Sequence, residues 1–178
     1  MKILAISGSG RRTSTNTALL RALQALTPDD IALDVFHRVD MLPVFSPDLL
    51  DVGMPATVRA FVQQIAAADG LIISSPEYVR GIPGGLKNAL DWLVAGEEVI
   101  DKPIALVHAS HRGDDMLDAL RLVLTTLSSR FNPNLFLRVP LMKETPEHIA
   151  KILVEAPHRA QAERFLQDFF AFCRHGGS

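Results

Sequence analysis

Ten residues after the first apolar run, Ser7 to Asn16, read SGSGRRTSTN and hold two glycines, two arginines and five hydroxyl side chains. An apolar run that feeds such a turn and then a helical pattern places these groups at a helix N-terminus. Unpaired backbone N–H groups and a partial positive charge gather there. The hydroxyls of Ser9, Ser14 and Thr15 and the guanidinium of Arg11 add donors that can hold a phosphate from several sides. Gly8 and Gly10 allow the backbone to approach closely. A Walker-type loop requires Gly-Lys-Ser/Thr, and the stretch contains no lysine. A dinucleotide G-x-G-x-x-G matches at Gly8 and Gly10, but Thr13 stands at the third glycine, and His37 and Arg38 occupy the region where strand 2 should end in an acid. Asp40, slightly further on, keeps that motif barely in play. The donor density favours a terminal monophosphate over a Ser/Thr-rich turn with solvated arginines, and Arg12 is left to solvent.

A second stretch, Leu71 to Leu93, reads LIISSPEYVRGIPGGLKNALDWL. The apolar run stops at Ser74-Ser75, and a helical pattern resumes after Pro83. Between them lie the only tyrosine, Tyr78, with Glu77 and Arg80. Pro76 and Pro83 stiffen the loop, and Gly81, Gly84 and Gly85 permit backbone conformations closed to other residues. Such a loop can line a flat ring with polar edges, a flavin for example, with Tyr78 packed on it or capping its edge. It can equally be a surface loop whose tyrosine packs on a neighbouring subunit, and spacing does not separate the two.

The elements that must position these loops are legible as alternating patterns. Apolar runs at Ile3–Ser7, Ile31–Phe36, Gly70–Ser74, Ile104–Ala109 and Leu135–Val139 read as strands, with Ile31–Phe36 alternating enough to be an edge. Leucine-rich patterns of period 3.6 at 16–26, 57–68, 83–94 and 114–127 read as helices. Residues 146–173 read as one long helix or as two divided at Pro157, and Phe165, Leu166, Phe169, Phe170 and Cys173 form its core stripe. The expected architecture is α/β: a flavodoxin-like three-layer sandwich around a five-stranded parallel sheet of order 2-1-3-4-5. Ligands of such sheets sit beyond the strands' carboxyl ends at the switch point, so the loops after Ser7, Ser74 and Ala109 should converge.

Taken together, GSGRRTSTN and PEYVRGIPGGLKNALDW resemble the NADPH-dependent FMN reductase family. Gly8, Ser9, Arg11, Ser14 and Asn16 match its pattern G-S-x-R-x-x-S-x-N. Pro76, Glu77, Tyr78, Pro83, Leu86, Lys87, Asn88, Ala89, Asp91 and Trp92 match P-E-Y-N-x-S-x-P-x-x-L-K-N-A-x-D-W. The resemblance implies that Ser9, Arg11, Ser14, Thr15 and Asn16 hold an FMN phosphate. It places Pro76, Glu77, Tyr78 and the backbone at Val79 and Arg80 along the isoalloxazine. Lys87, Asn88, Asp91 and Trp92 would fix the helix and a subunit contact. Val79 replaces the pattern's Asn and Gly81 its Ser, so an amide and a hydroxyl near the flavin are missing. The third loop, ASHRGDD, also departs from the family's glycine-rich turn. Ser110 and His111 are candidates to lie against the flavin, Arg112 is read as solvent-facing, and Asp114 as the cap of the next helix.

The implied function is an FMN-dependent NAD(P)H oxidoreductase. It passes hydride from NADPH or NADH to FMN and then to a small acceptor: a quinone, a free flavin, an azo compound or a metal oxyanion. No side chain is assigned a catalytic role and no metal site is expected. The alternatives are a non-enzymatic FMN electron carrier and a flavin-free regulatory paralogue. The resemblance also implies a homodimer or homotetramer. The 178 residues suit a single FMN-binding domain, 1–178. A formal charge of −2 gives no reason to expect nucleic acid or an anionic membrane as partner. One cysteine excludes an internal disulfide and fits a cytoplasmic setting. The apolar stretch Ile3–Ile6 is too short for a signal peptide, and the Gly176–Ser178 end is expected to fray.

Overall fold

The computed structural model describes residues 1–175; the fraying expected of Gly176 to Ser178 lies outside the described residues. Five strands, β1 (Lys2–Ser7), β2 (Ala32–Phe36), β3 (Gly70–Ser74), β4 (Ile104–His108) and β5 (Phe131–Arg138), form one parallel sheet of order β2-β1-β3-β4-β5. This is the flavodoxin-like order, with β2 on one edge. Among the described residues seven α-helices accompany it: α1 (Thr15–Ala25), α2 (Asp48–Asp51), α3 (Ala56–Ala66), α4 (Gly84–Asp91), α5 (Asp114–Leu127), α6 (Pro146–Val154) and α7 (His158–Arg174).

Strand alternation sorts the core into two layers. Leu4, Ile6, Leu71, Ile73, Ile104 and Leu106 face α3, α4 and α5, whereas Ile3, Ala5, Ile72, Ala105 and Val107 face α1, α6 and α7. Pro157 separates α6 from α7. Gly70 at the start of β3 lets α7 come close, since a Cβ there would lie 2.5 Å from Cys173 Sγ and 2.9 Å from Phe169. Burial pushes the Cys173 thiol up to about 12, which leaves it an inert packing group.

Four local features differ from the sequence reading. The third helical pattern, 83–94, ends at Asp91 and tightens into a 3-10 turn over Trp92–Ala95, as last turns of helices commonly do. A further 3-10 turn at Val39–Met41 and the short α2 fill the connection after β2. Strand β5 begins at Phe131, ahead of the expected Leu135, and a register irregularity between Ile104 and Leu106 leaves Asn132 to Leu135 opposite Ala105 alone; β5 is an edge, where proline is tolerated. Gly113, not Asp114, is the N-cap of α5; it sits at φ 100 with no capping side chain.

Candidate functional site

The registers Ser7↔Ser74 and Ser74↔Val107 align the carboxyl ends of β1, β3 and β4. Above them opens a pocket of about 340 Å³. Thr15 and Asn16 open α1 just after the loop that follows β1, Pro76 and Glu77 come from the loop after β3, and His108, Ala109, Ser110, Arg112 and Gly113 from the end of β4 onward. Met142 and Lys143, which follow β5, complete it. The expected three loops therefore converge, joined by a fourth that the sequence reading did not include.

In the first loop, Ser14 caps α1 by accepting from Thr17 N at 3.3 Å. Ser9 is buried and accepts from Arg11 N at 3.3 Å. Asn16 is buried and its Oδ1 accepts from the Ser74 hydroxyl at 2.8 Å, which fixes the start of α1 to β3. Its Nδ2 has no partner among the described residues, and the N–H groups of Thr15 and Asn16 open the helix with none. The two glycines serve packing. A Cβ on Gly8 would lie 2.7 Å from Leu86 Cδ2, and one on Gly10 would lie 2.9 Å from Asp40 Cβ. Arg11 is exposed and lines a neighbouring cleft.

In the second loop, Tyr78 and Gly81 exchange backbone hydrogen bonds of 3.2 and 3.0 Å, and Val79 and Arg80 between them have φ of 51° and 60°. Positive φ at both central residues is the signature of a type I′ turn, which favours Asn and Gly. The left-handed positions thus fall on Val79 and Arg80 rather than on Gly81, Gly84 or Gly85. This gives the pattern's Asn a conformational role in addition to any amide contact. Tyr78, Val79 and Arg80 are exposed beyond the pocket lining. Downstream, Asn88 accepts from Phe45 N at 2.7 Å and donates to the carbonyls of Leu42 and Pro43. The Trp92 indole donates to Pro43 O at 2.8 Å. These two residues clamp the segment after the 3-10 turn at Val39–Met41, while Lys87 pairs with Asp91 on the helix surface.

The second and third loops are tied together. Glu77 Oε2 accepts from Met116 N at 3.1 Å, supplying from another loop the side-chain cap that Gly113 cannot give α5. Arg80 pairs with Asp115 at 2.6 Å and holds that carboxyl below its ordinary range. Arg138 does the same for Asp114. His108 is buried, and its Nδ1 and Nε2 lie 3.2 Å from Ser75 O and 2.5 Å from Arg112 O. Burial lowers its pKa from the usual histidine value, and the two carbonyl contacts oppose that only in part. A neutral imidazole donates from one nitrogen, so one of the two carbonyls is served at a time. A Cβ on Gly113 would meet His108 Nε2 at 2.8 Å, so glycine is needed there for space as well as for its φ of 100°.

Of the residues singled out from sequence, Thr15, Asn16, Pro76, Glu77 and Ser110 line the pocket, with Ser9 and Ser14 buried in the turn beside it. His111 is exposed and outside the lining, whereas Arg112, read as solvent-facing, is part of it. His108, Met142 and Lys143 were missed. A lone histidine at the carboxyl end of an apolar strand was the available signal for the first.

The two sequence motifs, 8–16 and 76–92, thus face each other across one pocket of a parallel sheet. The profile of the NADPH-dependent FMN reductase family matches residues 1–139. The chain belongs to the NADPH-dependent FMN reductase family. It is similar to a 2-hydroxy-1,4-benzoquinone reductase of a Burkholderia species, with 51% identity over 92 residues, 52% of this chain and 49% of that protein. It is also similar to a quinone reductase of Escherichia coli K12, with 36% identity over 106 residues, 59% of this chain and 55% of that protein. The chain therefore spans about half the length of these relatives. The solved structure of the flavoenzyme FerB of Paracoccus denitrificans, an NAD(P)H:(acceptor) oxidoreductase, shares the fold at a TM-score of 0.76 and 22% identity, covering 99% of both chains. In this family member, the Lys-Asn-Ala-x-Asp-Trp segment acts as a clamp on the backbone at 42–45. Among the described residues no group of acidic, histidine or cysteine side chains could hold a metal ion, and no helix is long and apolar enough to cross a membrane.

Proposed function

We propose that the chain binds FMN in the pocket above β1, β3 and β4 and serves as an NAD(P)H-dependent reductase of small acceptors, quinones foremost. The observation that carries this reading is the convergence of the two family motifs as opposite walls of one pocket at the sheet's switch point. The donor set suits the cofactor. The free N–H groups of Thr15 and Asn16 and the Asn16 amide offer a phosphate seat at the start of α1. Pro76, Ala109 and Met142 give the pocket an apolar lining for a ring, with Arg112 and Lys143 as the cations of its wall. Bound FMN would accept hydride from the nicotinamide donor and return electrons to the acceptor. The chain's residues bind and orient: the loop 76–81 is stiffened by the Tyr78–Gly81 turn and held to α5 by Glu77 and Arg80. No side chain is assigned a proton-transfer step.

Ser9, Ser14 and Arg11 are assigned to the phosphate end, and Tyr78, Val79, Arg80, Ser110 and His111 to the rim where donor and acceptor enter. Residues 1–178 are taken as one domain in a cytoplasmic homodimer or homotetramer. Tyr78 and Val79, exposed at the tip of the rim turn, are the apolar groups a second subunit would cover. The test is anaerobic addition of NADPH and of NADH to the FMN-loaded protein. Bleaching of the flavin bands without a partner reductase is expected. Bands that stay oxidised with both donors would make the protein an electron carrier, and failure to take up FMN would leave the motifs as scaffold only.

A further inference from the structure

On the β2 side of the first loop lies a second cleft, of about 490 Å³. Arg11 and Arg12 come to it from the loop, Arg21 from α1, and His37 and Arg38 from the residues just after β2. Asp40 is the one carboxylate in its wall. Among the described residues, Arg11, Arg12, Arg21 and Arg38 make no ion pair and no side-chain hydrogen bond. Among the described residues seven other cations, Lys2, Arg80, Lys87, Arg121, Arg138, Arg159 and Arg164, each have a carboxylate. A protein of net charge −2 has carboxylates to spare. Four guanidiniums gathered around one cleft against a single acid repel each other, and a bound dianion relieves that repulsion. Their planar forks match phosphate oxygens bidentately. The phosphate seat of the main pocket is the start of α1, where Thr15 and Asn16 face the β3 side. The arginine cleft lies on the other side of the same loop.

We propose that this cleft is a second phosphoanion site, which takes the ribose phosphomonoester of the nicotinamide donor and so selects a 2′-phosphorylated dinucleotide over its unphosphorylated counterpart. The assignment rests on the reductase reading for the identity of the donor, but the site itself is defined by Arg12, Arg21 and Arg38, Arg11 being left to the flavin phosphate. Arg21 and Arg38 are its most specific members, because neither belongs to the FMN motif.

The experiment is calorimetric titration of adenosine 2′,5′-bisphosphate and of adenosine 5′-phosphate into the protein with and without FMN, uptake of FMN being read separately from its absorbance. The bisphosphate should bind at least about tenfold more tightly than the monophosphate, the size of one charge-assisted contact. It should do so equally with and without FMN, and weaken steeply with salt. Arg21→Gln and Arg38→Gln should each remove most of that preference while circular dichroism and FMN uptake stay as in the wild type. Equal affinity for the two nucleotides would overturn the assignment. So would displacement of the bisphosphate by FMN, which would make the cleft the flavin's own phosphate seat. A protein that binds no FMN yet prefers the bisphosphate would refute the reductase reading and leave the anion site standing.

Discussion

Val79 offers a direct test of how the rim loop is built. Its φ of 51° lies in the left-handed region, which a β-branched side chain enters at a cost of about 1–2 kcal/mol. The side chain is fully exposed at 101% within the single chain, so replacing it forfeits no packing inside the subunit. Asn tolerates the same backbone because its short amide can bond locally. Val79→Asn should therefore stabilise the protein by about 1 kcal/mol, provided the turn forms in the native state and not in the unfolded chain. For a chain of this size that is a rise of about 2–4 °C in melting temperature. Urea titration with a matched thermal melt reads both numbers, and the m-value should not move. Val79→Ala, which keeps a Cβ but loses the branch, should gain less. An Asn variant no more stable than the wild type would refute the strained-turn account and return the position to a contact role.

Three further outcomes follow from the same geometry. His108→Leu removes the donor between Ser75 O and Arg112 O and should cost about 2 kcal/mol near pH 8, a lost hydrogen bond plus a stranded carbonyl. Since burial holds the folded His108 pKa below its unfolded value, the histidine's contribution is full above about pH 6.5 and is lost as pH falls toward the folded pKa. The stability gap between wild type and variant should shrink on acidification, and a gap that widens would show that the doubly donating imidazolium is the favoured form. Asn88→Ala should cost about 2–3 kcal/mol in chemical denaturation, because it strands Phe45 N and Leu42 O in a half-buried clamp and leaves Pro43 O with the Trp92 indole alone; a loss below the noise of the titration would deny the clamp. Ser14→Glu places a carboxylate beside the phosphate seat, and fluorescence titration should show FMN binding weakened with the helix content of α1 intact.

The parts of the fold set by local periodicity were readable in the chain. Strand β3 fell at Gly70–Ser74 as expected, and the helix at 114–127 matches α5, since a continuous apolar run and a 3.6 period are local properties. Pro157 marked the α6–α7 break for the same reason. What was not readable depends on which residues meet across the sheet. Met142 and Lys143 reach the pocket because β5 lies next to β4, a relation no window of sequence contains. Glu77 caps a helix that begins at residue 114, 37 positions along the chain. Glycines were assigned freedom at 81, 84 and 85, yet the left-handed turn falls on Val79 and Arg80, because turn register depends on the Tyr78–Gly81 bridge.

The position of bound FMN decides between these readings. A crystal structure of the protein grown with FMN tests it most directly. The phosphate is expected at the N-terminus of α1 against Thr15 and Asn16, with the ring between Pro76–Glu77 and Ser110–Gly113. Density for FMN elsewhere on the molecule, or an empty pocket at saturating FMN, would contradict it.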